Sequence, residues 1–246
     1  MALLRTVKLC KSFGSLLAVN NVDIEVEEGR TYSVIGPNGA GKTTLFNLIS
    51  GHLEPTSGSI SFRNRTINGL KPFQTSHVGI GRSFQLNNLF PRLTVFENIR
   101  LAVQSRRPCR FNFVNHIRKY KEVDSKTEAI VERIGLTPVV RKMAENLSHG
   151  DKRLLEIGIA LSTEPELLLL DEPTSGMAPE ETTQMIEFIK SLSKGLTIIL
   201  IEHKMTVVMT ISEQVIVMHQ GSVIAQGSPA EVQVNPEVKS AYLGGL

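Results

Sequence analysis

The chain of 246 residues is 41% hydrophobic and 21% charged, ordinary globular usage that excludes a disordered or collagen-like polymer. At ~150 residues per domain its length corresponds to about 1.6 domains, enough to bury a core without disulfide or metal staples. Lys and Arg number 27 against 24 Asp and Glu, a formal net charge of +3 that is too small to point to nucleic acid.

In chain order, Leu3–Val7, Val22–Val26 and Thr31–Ile35 read as short strands, the last two joined through Glu27-Glu28-Gly29-Arg30. The segment Thr43–Ser50 carries Leu45, Leu48 and Ile49 at helical spacing and closes on Gly51. A further strand, Ser59–Phe62, is entered through Pro55-Thr56-Ser57-Gly58. From Pro91 to Leu161 the pattern turns helical, with Ile130, Val131 and Ile134 on one side of a helix over Lys126–Leu136. Within that region Arg100, Arg106, Arg107, Arg110, Arg118, Lys119 and Lys121 form a run without an acidic residue. Such a run is either a solvated helix face or a surface for anionic headgroups or an acidic partner. After Ser162 strands Leu167–Leu170, Thr197–Ile201 and Gln214–Met218 alternate with helices Pro179–Leu192 and Lys204–Ile211, the order of a parallel sheet covered by helices.

No uninterrupted apolar core of a signal peptide opens the chain, and the longest apolar runs are strand-length. Cys10 and Cys109 are too few for a disulfide framework. The expectation is a soluble, intracellular protein in a reducing compartment.

Gly36-Pro37-Asn38-Gly39-Ala40-Gly41-Lys42-Thr43 fits G-x-x-x-x-G-K-[ST] between a strand and a helix. Glycines let backbone N–H groups turn inward as an anion nest, and the helix dipole adds positive potential at the same point. Lys42 then reaches the β- and γ-phosphates of a nucleotide and the Thr43 hydroxyl binds Mg²⁺. Leu167-Leu168-Leu169-Leu170-Asp171-Glu172 is a buried strand ending in two carboxylates on the crevice side of a sheet. Asp171 suits Mg²⁺ through its water shell, and Glu172 suits an attacking water.

With these motifs the chain resembles the ATP-binding subunits of ABC transporters, over almost its whole length. That resemblance implies an α/β fold: a P-loop NTPase (RecA-like) core with a small antiparallel β subdomain and an inserted α-helical subdomain. The divisions it suggests are 1–87, 88–161 and 162–246. Phe13 stands where the family stacks an aromatic ring on adenine, and Asn38, Gly39, Ala40, Gly41, Lys42, Thr43 and Thr44 where it binds phosphates. Gln85 matches the Q-loop glutamine, a hinge and Mg²⁺/water contact, and His203 the switch histidine. Leu147-Ser148-His149-Gly150-Asp151 looks like the signature Leu-Ser-Gly-Gly-Gln, with Ser148 and Gly150 kept as anion donors at a helix start. Ser175-Gly176-Met177-Ala178 occupies the D-loop without its usual aspartate.

The departures at His149, Asp151 and the D-loop, with Leu155-Glu156-Ile157 and the tail Pro236-Glu237-Val238, look like branched-chain amino acid importer ATPases of the larger (LivG) type. Urea or short-amide importers are near relatives, and a soluble ABC-type ATPase outside transport is the rival reading. The resemblance implies ATP and Mg²⁺ and ATP shared between two ATP-binding subunits. It also implies two membrane-spanning permease subunits, an extracytoplasmic substrate-binding protein and no nucleic acid. The chain is then peripheral, on the cytoplasmic face of the cell membrane.

Overall fold

The computed structural model describes residues 2–83, 89–106 and 116–243. The chain opens with β1 (Ala2–Phe13), β2 (Leu16–Glu27) and β3 (Thr31–Ile35), then α1 (Lys42–Ile49). Strands β4 (Ser57–Phe62) and β5 (Arg65–Thr66), helix α2 (Pro72–Val78) and strand β6 (Ile80–Arg82) come after it. Helices α3 (Val95–Ser105), α4 (His116–Arg133) and α5 (His149–Leu161) are next, with 3-10 turns at Thr137–Val139 and Ala144–Asn146 between the last two. The remainder is β7 (Leu167–Asp171), α6 (Pro179–Ser193), β8 (Thr197–Ile201), α7 (Met205–Ile211), β9 (Gln214–His219), β10 (Ser222–Gly227), α8 (Pro229–Val234) and α9 (Pro236–Leu243).

Two sheets result. The first is antiparallel in the order β2-β1-β4-β5, and the second runs β10-β9-β3-β8-β7-β6. In the second sheet β6, β7, β8, β3 and β9 pair in parallel, and β10 closes the edge antiparallel to β9. The uninterrupted apolar runs of β7 and β8 reflect this position, because a central parallel strand is covered on both faces. Leu167, Leu169, Ile199 and Ile201 join a core with α1 and the antiparallel sheet. Their alternates Leu168, Leu170, Ile198 and Leu200 pack with α3, α5 and α6 through Ile99, Leu155 and Ile189. That second core also takes in Val131 and Ile134, so the helical segment and the sheet share one apolar body.

Element boundaries differ from the sequence pattern where pairing, not periodicity, sets them. The first two strands run to twelve residues each, lengthened by the hairpin that joins them at Phe13↔Leu16. Helix α4 starts well before Lys126. Helices α2, α8 and α9 and strands β5, β6 and β10 are additions to the expected elements, although Ser228 and Glu231 form a capping box that is visible in the sequence. Of the basic run, Arg100 Nε lies 2.7 Å from an Asp124 carboxylate oxygen, and Arg106 donates to the Thr163 and Glu164 carbonyls. Arg107 and Arg110 lie outside the described residues, as does Gln85.

Candidate functional site

In a parallel sheet every strand ends at the same edge, so the loops leaving those strands gather there. Strand β3 ends in the Gly36–Thr43 loop, β7 in Asp171 and Glu172, and β8, which lies between them, in Glu202 and His203. Strand β6, on the far side of β7, ends in Arg82 and leads toward Gln85.

The loop is fixed from outside. Gly36 has φ 149°, and a Cβ there would stand 2.1 Å from the Met218 carbonyl oxygen of β9. Gly36→Ala is therefore expected to destabilise the fold by about 1–3 kcal/mol, the usual cost of forcing an atom into a packed site, read as a lowered unfolding midpoint. The turn after β9 closes the loop from the other side, where Gly221 N–H donates to the Ala40 carbonyl at 3.1 Å. At the chain's other end Val238 of α9 is buried with Ile35.

Lys42 Nζ donates to the Gly36 and Pro37 carbonyls at 2.6 and 3.0 Å. Burial lowers its pKa, against the opposing pull of the Glu172 and Asp171 carboxylates. Asn38, Gly39 and Thr43 are exposed to solvent. Thr44, one residue further on, is half-buried. Phe13 is exposed at the hairpin tip beside Leu16 and Leu17, with Lys11 Nζ 5.3 Å from its ring centroid. The second strand of that hairpin passes close to the loop at Gly41 through the Ala18 carbonyl.

Asp171 is buried and its Oδ2 lies 3.3 Å from the Arg82 guanidinium. Arg82 also donates to Asn47 Oδ1 at 2.7 Å and Ser50 Oγ at 2.8 Å, on and just past the helix that begins at Lys42. Its guanidinium stands 5.8 Å from the centroid of Phe46. Burial lowers the Arg82 pKa and Asp171 raises it. One buried cation thus joins β6, α1 and the carboxylate at the end of β7.

Glu172 takes φ 47°, a left-handed conformation that costs a non-glycine residue roughly 1–2 kcal/mol. Its N–H donates to the Ile201 carbonyl, and Ser175 N–H donates to its own carbonyl, so the turn holds it there. The carboxylate stands 3.8 Å from His203 Nδ1, and both side chains are open to solvent. Strain stored in a residue that faces open crevice is characteristic of a functional position.

Behind them Glu202 is fully buried. It accepts from Thr174 N and Oγ1 and from the His203 backbone N–H. Lys204 Nζ completes the lock on the Thr174 carbonyl at 2.9 Å. Ser148 caps α5 by accepting from Asp151 N–H at 3.1 Å, and Gly150 faces the Glu181 carboxylate. The signature residues therefore meet the turn after Glu172 and the start of α6.

Arg82 and Glu202 are site residues that no sequence motif singles out. The only signal for Arg82 is its place three residues before Gln85; for Glu202 it is a lone acid at the end of an apolar strand.

The family model described as ABC transporter matches residues 19–175. A second, described as branched-chain amino acid ATP-binding cassette transporter, matches residues 222–245. The chain is 42% identical over 243 residues to the high-affinity branched-chain amino acid transport ATP-binding protein LivG of Salmonella typhimurium, covering 96% of this chain and 95% of that one. It is 39% identical over 245 residues to BraF of Pseudomonas aeruginosa, a protein of the same description, at 96% and 95% coverage. Among solved structures, the ADP conformation of an ATP-binding cassette from an ABC transporter superposes with a TM-score of 0.86 at 33% identity, covering 99% of both chains. A nucleotide-free cassette gives 0.85 at 32% identity, over 98% of this chain and 99% of that one.

Proposed function

The chain belongs to the ABC transporter family as an ATP-binding cassette, and from that premise we propose that it energises uptake of branched-chain or related amino acids. ATP hydrolysis coupled to transport is the activity of the family. The observation that carries the assignment of roles is the convergence of the Gly36–Thr43 loop, Asp171, Glu172 and His203 on one sheet edge.

The loop amides and Lys42 bind the phosphates, Lys42 exchanging its two carbonyl partners for phosphate oxygens. Thr44 adds a hydroxyl on the same helix turn, and Phe13 at the hairpin tip offers its face to adenine. Glu172 orients and deprotonates the attacking water, while His203 donates to the γ-phosphate. Thr43 and Asp171 present only oxygen, the donor set Mg²⁺ prefers, and Asp171 is already pre-oriented by Arg82. When bound, the ion offsets negative charge on the phosphates. Ser148 and Gly150 act on nucleotide held by a second ATP-binding subunit, so binding closes a dimer and hydrolysis reopens it. Gln85 is assigned a hinge and Mg²⁺/water contact by its position alone.

Residues 1–87 and 162–246 then make the ATP-binding core and 88–161 the helical unit. Partners are a second cassette, two permease subunits and, indirectly, an extracytoplasmic binding protein. Among the described residues no helix is long and apolar enough to cross a membrane, and the chain sits peripherally on the cytoplasmic face.

The test reconstitutes the chain with its permease subunits and binding protein in lipid vesicles. ATP turnover is expected to rise when leucine, isoleucine or valine is supplied on the binding-protein side. A rise with urea or short amides alone would assign the chain to that importer class. Co-purification with ribosomes in place of permease would remove transport.

A further inference from the structure

The resemblance in sequence leaves His149 unexplained, because a bulky ring stands where the signature has glycine. The structure gives that ring a contact. His149 is the first residue of α5, and its Nε2 lies 3.0 Å from the Ser175 carbonyl oxygen. A carbonyl only accepts, so Nε2 carries the proton and donates. The ring also lies against Gly176: a Cβ on that residue, whose φ is 73°, would meet Nε2 at 3.2 Å. The glycine in the D-loop and the histidine in the signature are therefore one packing solution.

The contact continues inward. Ser175 N–H donates to the Glu172 carbonyl, and Met177 N–H to the Thr174 carbonyl. Two hydrogen bonds thus connect the first residue of α5 to the backbone of Glu172. On its other side the same turn is held by Glu202 and Lys204 through Thr174. The turn is fastened at one end to the sheet and at the other to the helical segment.

We propose that His149 is a positioning residue, which holds the signature end of α5 on the 172–177 turn and so sets the Glu172 backbone according to where α5 stands. The inference rests on the role given above to Glu172. It assigns His149 no contact with nucleotide.

Two substitutions separate the donor from the ring. His149→Phe keeps a flat ring over Gly176 and removes the N–H, whereas His149→Gln places an amide N–H at similar reach. In the reconstituted complex, His149→Phe is expected to lower kcat about tenfold with KM for ATP within about twofold of wild type, because one well-placed hydrogen bond is lost away from the phosphates. His149→Gln is expected to recover most of that loss. Wild-type turnover in His149→Phe overturns the proposal, and so does equal impairment of both variants.

A second measurement is independent of turnover. Amide hydrogen exchange on the full chain is expected to quicken at Ser175 and Met177 in His149→Phe and to remain near wild type in His149→Gln. Unchanged exchange in His149→Phe overturns the latch even if the wild-type complex hydrolyses ATP. Should the wild-type complex fail to hydrolyse ATP, the reading of Glu172 falls, and the exchange result alone decides the latch.

Discussion

Glu172→Gln should lower ATP turnover by about 10²–10⁴, the range that a positioned general base contributes. Nucleotide binding should persist, because the loop and Lys42 are untouched. The two properties together predict a dimer that forms with ATP and does not reopen, visible as a stable ATP-dependent dimer by size-exclusion chromatography. The isosteric amide keeps the turn intact: what holds Glu172 at φ 47° is its own backbone bonding to Ile201 and Ser175. Turnover near wild type would show that Glu172 is not the base and that another group activates the water. His203, 3.8 Å away, would then be the first to substitute.

The second large effect belongs to Arg82. Its side chain is 9% exposed and that of Asp171 5%, so removing the cation strands a buried carboxylate and leaves Asn47 and Ser50 without their donor. Breaking one partner of such a pair costs roughly 3–5 kcal/mol. Arg82→Met is expected to lose stability of that order in denaturant unfolding of the nucleotide-free chain, whereas Arg82→Lys, which keeps the charge and loses the fork, should lose less. Because Asp171 is assigned to Mg²⁺, the deficit of Arg82→Met should shrink when Mg²⁺ and ADP are added. A loss under about 1 kcal/mol would mean that Asp171 is solvated well enough to need no counter-charge.

How much of this was legible in the chain depends on the range of the interaction. The phosphate loop was readable because its chemistry is local: glycines, a lysine and a hydroxyl at fixed spacing between one strand and one helix. Strands β3 and β8 were readable to the residue, since both are short runs rich in β-branched and aromatic residues with turn or polar residues at their ends. Strand β6 was not, because Ile80-Gly81-Arg82 is too short to show a period and exists only by pairing with Leu167–Leu169. Arg82, Glu202 and the His149 contact share that difficulty. Each is a polar side chain whose partner lies far along the chain, at Asp171, Thr174 and Ser175 respectively. A composition window sees only an arginine, a glutamate and a histidine. The left-handed Glu172 is likewise set by its neighbours across the sheet and carries no glycine to announce it.

The pairing of β3 has a consequence for synthesis. Both edges of this strand are filled by later segments: residue 31 waits for Ile198 and residue 32 for Gln214. The antiparallel hairpin before it zips up locally, but β3 emerges from the ribosome with both backbone edges open. Such edges are sticky until matched, and non-local closure is slow. The first motif to be translated is therefore among the last to acquire its shape, and the nascent chain has no competent nucleotide cradle until the strands after residue 197 have been made. A cell that stalls within that interval holds a cassette with its motor residues translated and its motor unassembled.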